Sequence, residues 1–202
     1  MLQEIDSDLP PLKGIIHAAG VLDDGVITQQ TWERFEQVLK AKVDGGWYLH
    51  QQTRDLSLDF FVMYSSAASI LGSAGQSNYA TANAFLDSLA QLRHSQGLPA
   101  TSINWGPWAE SGMATDPLVR SQLARQGVVP LKSETGLAGL ERLLANQATQ
   151  GMILEIDWDR MGPSLAGTRP PLLEAVLPKS QQSDSLLLNN CVKHLWPNER
   201  LC

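Results

Sequence analysis

The sequence predicts an α/β fold in which a parallel sheet is wound by helices on both faces, and three observations carry that prediction. Short apolar, β-branched runs alternate with segments of helical period. Each run ends in small or turn-forming residues, as strands entering tight loops do. The resulting order β-α-β-α-β-α-β joins its strands in parallel, because a helix between two strands carries the chain back to the same edge.

Residues 13–20 (KGIIHAAG) form the first run, a buried strand ending in small residues. Thr31 is placed as an N-cap with Glu33 close behind, and Trp32, Phe35, Val38, Leu39, Val43 and Leu49 then recur at helical spacing, predicting one helix over 31–53. Residues 59–65 (DFFVMYS), aromatic and β-branched, predict a second strand. The Gly-, Ser- and Ala-rich residues 66–78 predict a loop, and residues 79–94 a helix stopped by Gly97 and Pro99. Residues 101–105 (TSINW) predict a third strand, followed over 106–117 by a long mobile loop. Two short helices are expected at 117–126 and 133–146, and a last strand at 152–158 (MILEIDW). Beyond Arg160 no period is sustained, so the expected organisation is a catalytic body over 1–160 and a linker or poorly ordered tail over 161–202.

Composition narrows the function class. A net charge of -6 with no run of Lys or Arg argues against a nucleic-acid partner. No apolar stretch approaches the roughly 18–20 residues that cross a bilayer, and the acidic, proline-containing start is unlike a signal peptide, so a soluble cytoplasmic protein is expected. The two cysteines, Cys191 and Cys202, lie too near the end to staple the body, which fits a reducing compartment. His17, His50, His94 and His194 are scattered without partners at ligand spacing, so no metal site is assigned.

Four polar residues fall where strands end and helices begin: Lys42, Ser66, Tyr79 and Asn83. Tyr79 and Asn83 are four apart and share a helix face, and ligands of open parallel sheets bind at strand carboxyl ends. Reducing a carbonyl by hydride requires a proton donor at the nascent alkoxide, and a phenol serves if its pKa falls from about 10 toward neutrality. A nearby ammonium supplies the roughly 4 kcal/mol this takes. A serine hydroxyl can orient the same carbonyl, and an asparagine can hold the lysine or a water. Taken singly, each residue also reads as an ordinary packing, capping or turn residue, and Lys40, two positions from Lys42, competes as an ordinary surface lysine.

The segments HAAGVLDDG, KAKVDGGWYLH, FVMYSSAASILGSAGQSNYATANAFLD and NWGPWAESGMA, in this order and spacing, resemble the ketoreductase domains of modular polyketide synthases, within the short-chain dehydrogenase/reductase superfamily. The resemblance covers residues 11–158 and implies a Rossmann-like sheet. It implies Ser66, Tyr79, Asn83 and Lys42 as the catalytic set, with the lysine on the preceding helix and YATAN in place of YxxxK. NADPH is the implied cofactor: Ala18, Ala19 and Gly20 beside the nicotinamide ribose, Lys42 and Tyr79 on its hydroxyls, and Gly106, Pro107 and Trp108 facing the ring, with Met113 in a lid. The Leu22-Asp23-Asp24 triplet resembles a marker for D-hydroxy products, and Leu71 stands where the opposite class tends to carry Trp; Asp24, Leu71, Gln76 and Met113 are the expected substrate-side and stereocontrol positions. As a bare pair, Asp23 and Asp24 also read as turn carboxylates. The implied reaction reduces a β-ketoacyl thioester carried on an acyl carrier protein, in polyketide or fatty acid biosynthesis.

One expected feature is missing. A dinucleotide fold needs a first strand and a Gly-rich turn whose helix N-terminus takes the pyrophosphate. Residues 72–77 (GSAGQS) follow a strand and precede a helix but have neither GxGxxG nor Walker spacing, and read better as an active-site loop. The sequence thus predicts the fourth to seventh strands of a seven-stranded sheet without the N-terminal βαβ half, with an exposed edge on the first strand. The remaining half of the domain, or other synthase domains, is the expected partner. The alternative is a non-catalytic fragment or scaffold of a synthase module.

Overall fold

The computed structural model describes residues 10–164 and 171–173, without the side chains of 113, 114, 162–164 and 171. These residues fall into two compact units, one running to Trp105 and taking in Gly139–Met152, the other comprising Gly106–Ala138 and the residues from Ile153 onward.

The sheet is built from β1 (Gly14–His17), β2 (Phe60–Ser66), β3 (Thr101–Trp105) and β5 (Gln150–Ile153), in the order β1-β2-β3-β5. β1 pairs with β2 in parallel from Gly14↔Phe60 to His17↔Met63, and β2 with β3 from Val62↔Thr101 to Ser66↔Trp105. The helices are α1 (Trp32–Leu39), α2 (Gly45–Thr53), α3 (Ala68–Leu71), α4 (Ser77–Ser95), α5 (Pro117–Arg125), α6 (Ser133–Ala145) and α7 (Trp158–Ser164).

Strand alternation decides which residues meet the helices. Phe61 and Met63 point to one face, where they form a core with Leu58 and with Leu86, Leu89 and Ala90 of α4; Leu12, Ile15, Leu49, Phe85 and Ala100 pack around it. On the other face Val62 and Ile103 are fully buried, and the Tyr64 and Trp105 rings meet with centroids 5.1 Å apart. That covering stops at the edge strand, where Ile16 is 54% exposed.

Three expectations need correction. The predicted helix over 31–53 is interrupted by a π-helical turn, Lys40–Asp44, between α1 and α2. The cause is close packing: a Cβ on Gly46 would lie 2.9 Å from Leu86 Cδ2, and one on Gly45 3.2 Å from His17 Cε1. The wider turn re-aims the helix without breaking it. Thr31 does occupy the N-cap position, but its hydroxyl makes no capping bond there.

The predicted loop over 66–78 contains α3. Its start is held by Ser66 Oγ, which accepts from Ala68 N at 3.2 Å, and it ends at Gly72, whose φ of 75° terminates the turn.

The predicted last strand divides in two. β5 joins the main sheet, where Ser102 N donates to Thr149 O and Gly106 N to Ile153 O. β6 (Glu155–Ile156) instead pairs antiparallel with β4 (Val128–Val129). β3 ends at Trp105, so backbone groups past Ile153 find partners elsewhere. The expected tail over 161–202 lies mostly outside the described residues, which retain the rest of α7 and a turn at Pro171–Leu173.

Gly127 joins α5 to β4 with φ at 75°, and a Cβ there would stand 2.6 Å from both Asp157 O and Met161 N. Both neighbours are backbone atoms and cannot yield. Gly127→Ala is expected to destabilise the second unit by about 1–3 kcal/mol or more, read as a lower denaturant midpoint for that unit.

Candidate active site

The carboxyl ends of β1 and β2 and the first turns of α4 bring Lys42, Ser66, Tyr79 and Asn83 together. The π turn carries Lys42 inward: the residue is 3% exposed, and Nζ donates to Tyr64 O at 2.7 Å. Nζ lies 5.6 Å from the Tyr79 ring centroid. Lys40, the competing lysine, has a 64% exposed side chain paired with Glu36 at 3.4 Å. Asn83 is fully buried; Nδ2 donates to Tyr79 O at 2.7 Å, and Oδ1 has no partner.

Electrostatics set the protonation states. Burial lowers Lys42 to about 8, opposed by the Asp87 carboxylate. The Tyr79 phenol moves up rather than down: burial dominates, hydrogen bonds to the Ser66 and Asn83 side chains pull it back, and Asp24 pushes it further up. Unlike the expectation for this pair, the lysine does not depress the phenol in this arrangement. His17 is held neutral by burial and by the Lys42 charge.

The lysine makes stability depend on pH. Its folded pKa lies below the unfolded 10.5, so between about 8 and 10.5 the unfolded chain binds more protons and stability rises with pH. Compared with Lys42→Met, the parent chain is expected to gain melting temperature as pH rises through that window, checked by paired thermal melts.

The other positions divide between the units. Ala18, Ala19 and Gly20 form an exposed loop after β1, and a Cβ on Gly20 would lie 3.2 Å from Lys42 Cε. Asp24 is exposed, and its Oδ2 accepts from Gln76 Nε2 at 2.9 Å. Leu71 is half-buried at the end of α3. Gly106, Pro107, Trp108 and Met113 belong to the second unit. There Gly106 is buried against Leu154, Pro107 O accepts from Leu131 N at 2.7 Å, and Trp108 packs over Gly136. Met113 sits in the short 3-10 turn Gly112–Thr115.

Residues that the motif reading passed over clamp the Asp23-Asp24 loop. Arg34 Nη2 pairs with Asp23 Oδ1 at 2.6 Å and donates to Asp24 O at 2.6 Å, while buried Asn78 Nδ2 donates to Asp23 O at 2.7 Å. Gly25 N donates to Gly75 O at 2.8 Å. Asn78, next to Tyr79, was the available signal; Arg34 carried none. Among the described residues no group of three or more His, Cys, Asp or Glu side chains could hold a metal ion, and no helix is long and apolar enough to cross a membrane.

A parallel α/β sheet with buried Lys42 and Asn83 and half-buried Ser66 and Tyr79 gathered at its strand ends has the layout of a reductase site. Comparison with known proteins specifies the family. The KR domain model matches residues 1–110. Polyketide synthase GfsA of Streptomyces halstedii is 44% identical over 87% of this chain and 2% of its own length, and polyketide synthase GfsE of the same organism 58% identical over 66% of this chain and 4% of its own. The solved A-type ketoreductases from a modular polyketide synthase superpose with a TM-score of 0.81 at 42% identity, covering 87% of this chain and 38% of theirs. The first ketoreductase of the tylosin polyketide synthase gives 0.73 at 39% identity, covering 81% and 36%.

The chain belongs to the KR domain family, the polyketide synthase ketoreductases of the short-chain dehydrogenase/reductase superfamily. These are oxidoreductases that use a nicotinamide cofactor. The chain spans a few per cent of the first curated relatives' length and under two-fifths of the solved ketoreductase chains.

Proposed function

We propose that this chain carries the catalytic residues of an NADPH-dependent reductase acting on a β-ketoacyl thioester borne by an acyl carrier protein. The observation that carries the reading is the cluster itself: buried Lys42 with Nζ 5.6 Å from the Tyr79 ring centroid, buried Asn83 bonded to the Tyr79 carbonyl, and the Ser66 and Asn83 side chains pulling the phenol pKa down against its burial. In this reading Ser66 holds the substrate carbonyl oxygen, and Tyr79 delivers its phenolic proton to that oxygen as charge develops. Lys42 keeps positive charge beside the phenol as the proton leaves, and Asn83 fixes the tyrosine backbone turn and offers its free Oδ1.

The cofactor supplies the hydride when bound. Small, exposed Ala18, Ala19 and Gly20, with Lys42 directly beyond Gly20, fit a nicotinamide ribose. The sequence has no Gly-rich turn for the pyrophosphate and no nearby basic residue for a 2'-phosphate. We therefore infer that a further βαβ half completes the site. Among the described residues β1 pairs on one side only, with β2, and Ile16 and Phe60 are exposed there; both support this, since an apolar edge strand invites pairing. The clamped Asp24 and the presence of Leu71 favour a D-hydroxy product.

The test mixes the chain with a polypeptide supplying the Gly-rich half, NADPH and a β-ketoacyl thioester surrogate. Loss of the nicotinamide absorbance that requires both parts is expected. If the assembled pair consumes no cofactor, the catalytic reading gives way to a non-catalytic scaffold.

A further inference from the structure

A buried carboxylate lies on the same face of α4 as the two site residues. Tyr79, Asn83 and Asp87 are spaced by four, so their side chains stack along one stripe of the helix. Asp87 is 9% exposed and forms no salt bridge among the described residues. Its oxygens are instead filled by neutral donors: Ser102 Oγ at 2.6 Å, Ser69 Oγ at 2.7 Å, and Asn104 Nδ2 at 3.0 and 2.9 Å. Gln150 Nε2 donates to Asn104 Oδ1 at 3.0 Å, which fixes the amide with its nitrogen toward Asp87.

The same donors reach both partners of Tyr79. Ser69 Oγ, whose single hydrogen is shared between Asp87 Oδ2 and Ser66 O, lies 2.8 Å from Ser66 O, and Asn104 Nδ2 lies 3.4 Å from it. Asn104 Nδ2 also donates to Ser65 Oγ at 3.1 Å, and Ser65 Oγ donates to Asn83 O at 3.2 Å. Two buried polar paths therefore run from one anion, to the Ser66 backbone and to the Asn83 backbone. A buried charge satisfied this fully is stiff, because moving any donor leaves the carboxylate partly desolvated and unpaired.

We propose that Asp87 is a positioning residue that holds Ser66 and Asn83 against Tyr79 through Ser69, Asn104 and Ser65. This rests on the catalytic reading of Tyr79 but acts through groups that can be observed without turnover. Lys42 is bonded to the Tyr64 carbonyl from β2 and lies beside the Tyr79 ring from α4; His17 from β1 feels its charge, and the Asp87 carboxylate from α4 acts on it electrostatically.

The test is an NMR titration of the full chain, following lysine Cε and tyrosine Cζ resonances. In the parent chain Lys42 is expected to titrate at about 8. In Asp87→Asn its midpoint should fall, because the charge raising it is gone. The Tyr79 midpoint should rise, because Ser66 no longer holds the phenol. A carboxylate that positions neither residue would leave the Tyr79 midpoint in place, and that result in a folded Asp87→Asn overturns the proposal.

Should Asp87→Asn fail to melt cooperatively, Ser69→Ala decides. It removes the shorter of the two contacts to Ser66 O and leaves only Asn104 Nδ2 at 3.4 Å, while keeping the charge, so Tyr79 should titrate higher with Lys42 unmoved. An unshifted Tyr79 there overturns the proposal. Full reductase activity in Tyr79→Phe would instead remove the catalytic reading and leave these titrations to judge Asp87 separately.

Discussion

Replacing Tyr79 by Phe is expected to lower the reduction rate of the completed domain by about 10²- to 10⁴-fold, the usual contribution of a positioned general acid. The substitution removes one hydroxyl and leaves the ring, whose centroid lies 5.6 Å from Lys42 Nζ, so packing and the melting curve should change little. The pH dependence adds a second reading. Burial raises the phenol, so Tyr79 keeps its proton throughout the neutral range and is in donor form there. Lys42, lowered to about 8, loses its charge first as pH rises. Activity of the parent domain should therefore begin to decline near pH 8, before the phenol itself titrates. Nicotinamide absorbance followed from pH 6 to 10 checks both points. A Phe variant with the parent rate would remove Tyr79 from the chemistry.

The largest stability effect is expected at Phe61→Ala. Phe61 is 1% exposed at the centre of the core shared by β2 and α4, and such truncations cost about 3–5 kcal/mol. Here the ring has a second task. The Arg93 guanidinium, itself fully buried, stacks 3.9 Å from its centroid. Arg93 Nε donates to Pro99 O at 3.1 Å and Nη1 approaches His50 Nδ1 at 3.2 Å, with no carboxylate among these contacts. The ring face is thus part of what makes that charge tolerable, and a desolvated cation–π contact is worth about 2 kcal/mol. Since a domain is stable by only about 5–15 kcal/mol, the variant should be near the limit of folding. Urea unfolding measures the cost. Phe61→Leu keeps most of the volume and loses mainly the stacking, so comparing the two separates cavity from cation–π. A loss below about 1.5 kcal/mol for the alanine, the range of a volume-conserving swap, would contradict this account.

The strands and most helices were legible because their signals are local. The aromatic, β-branched run in 60–66 and the apolar period of α4 are set by neighbours along the chain, and the positions of Ser66, Tyr79 and Asn83 relative to those elements follow from them. Element boundaries and breaks were less legible. The π turn depends on Gly45 and Gly46 meeting His17 and Leu86, and the division of the last strand depends on where β3 stops.

What the sequence by itself determined is therefore the order of the elements, the family, and the four polar residues at strand and helix ends. Only the tertiary structure decided that Lys42 rather than Lys40 is buried, that the phenol is raised rather than lowered, and that Asp87 and Asn104 lie behind the site. The physical reason is range. Periodicity is set by residues a turn apart, whereas desolvation and hydrogen-bond partners come from residues far apart in sequence, as with Lys42 and Tyr64 at a separation of 22 and Asn104 and Asp87 at 17.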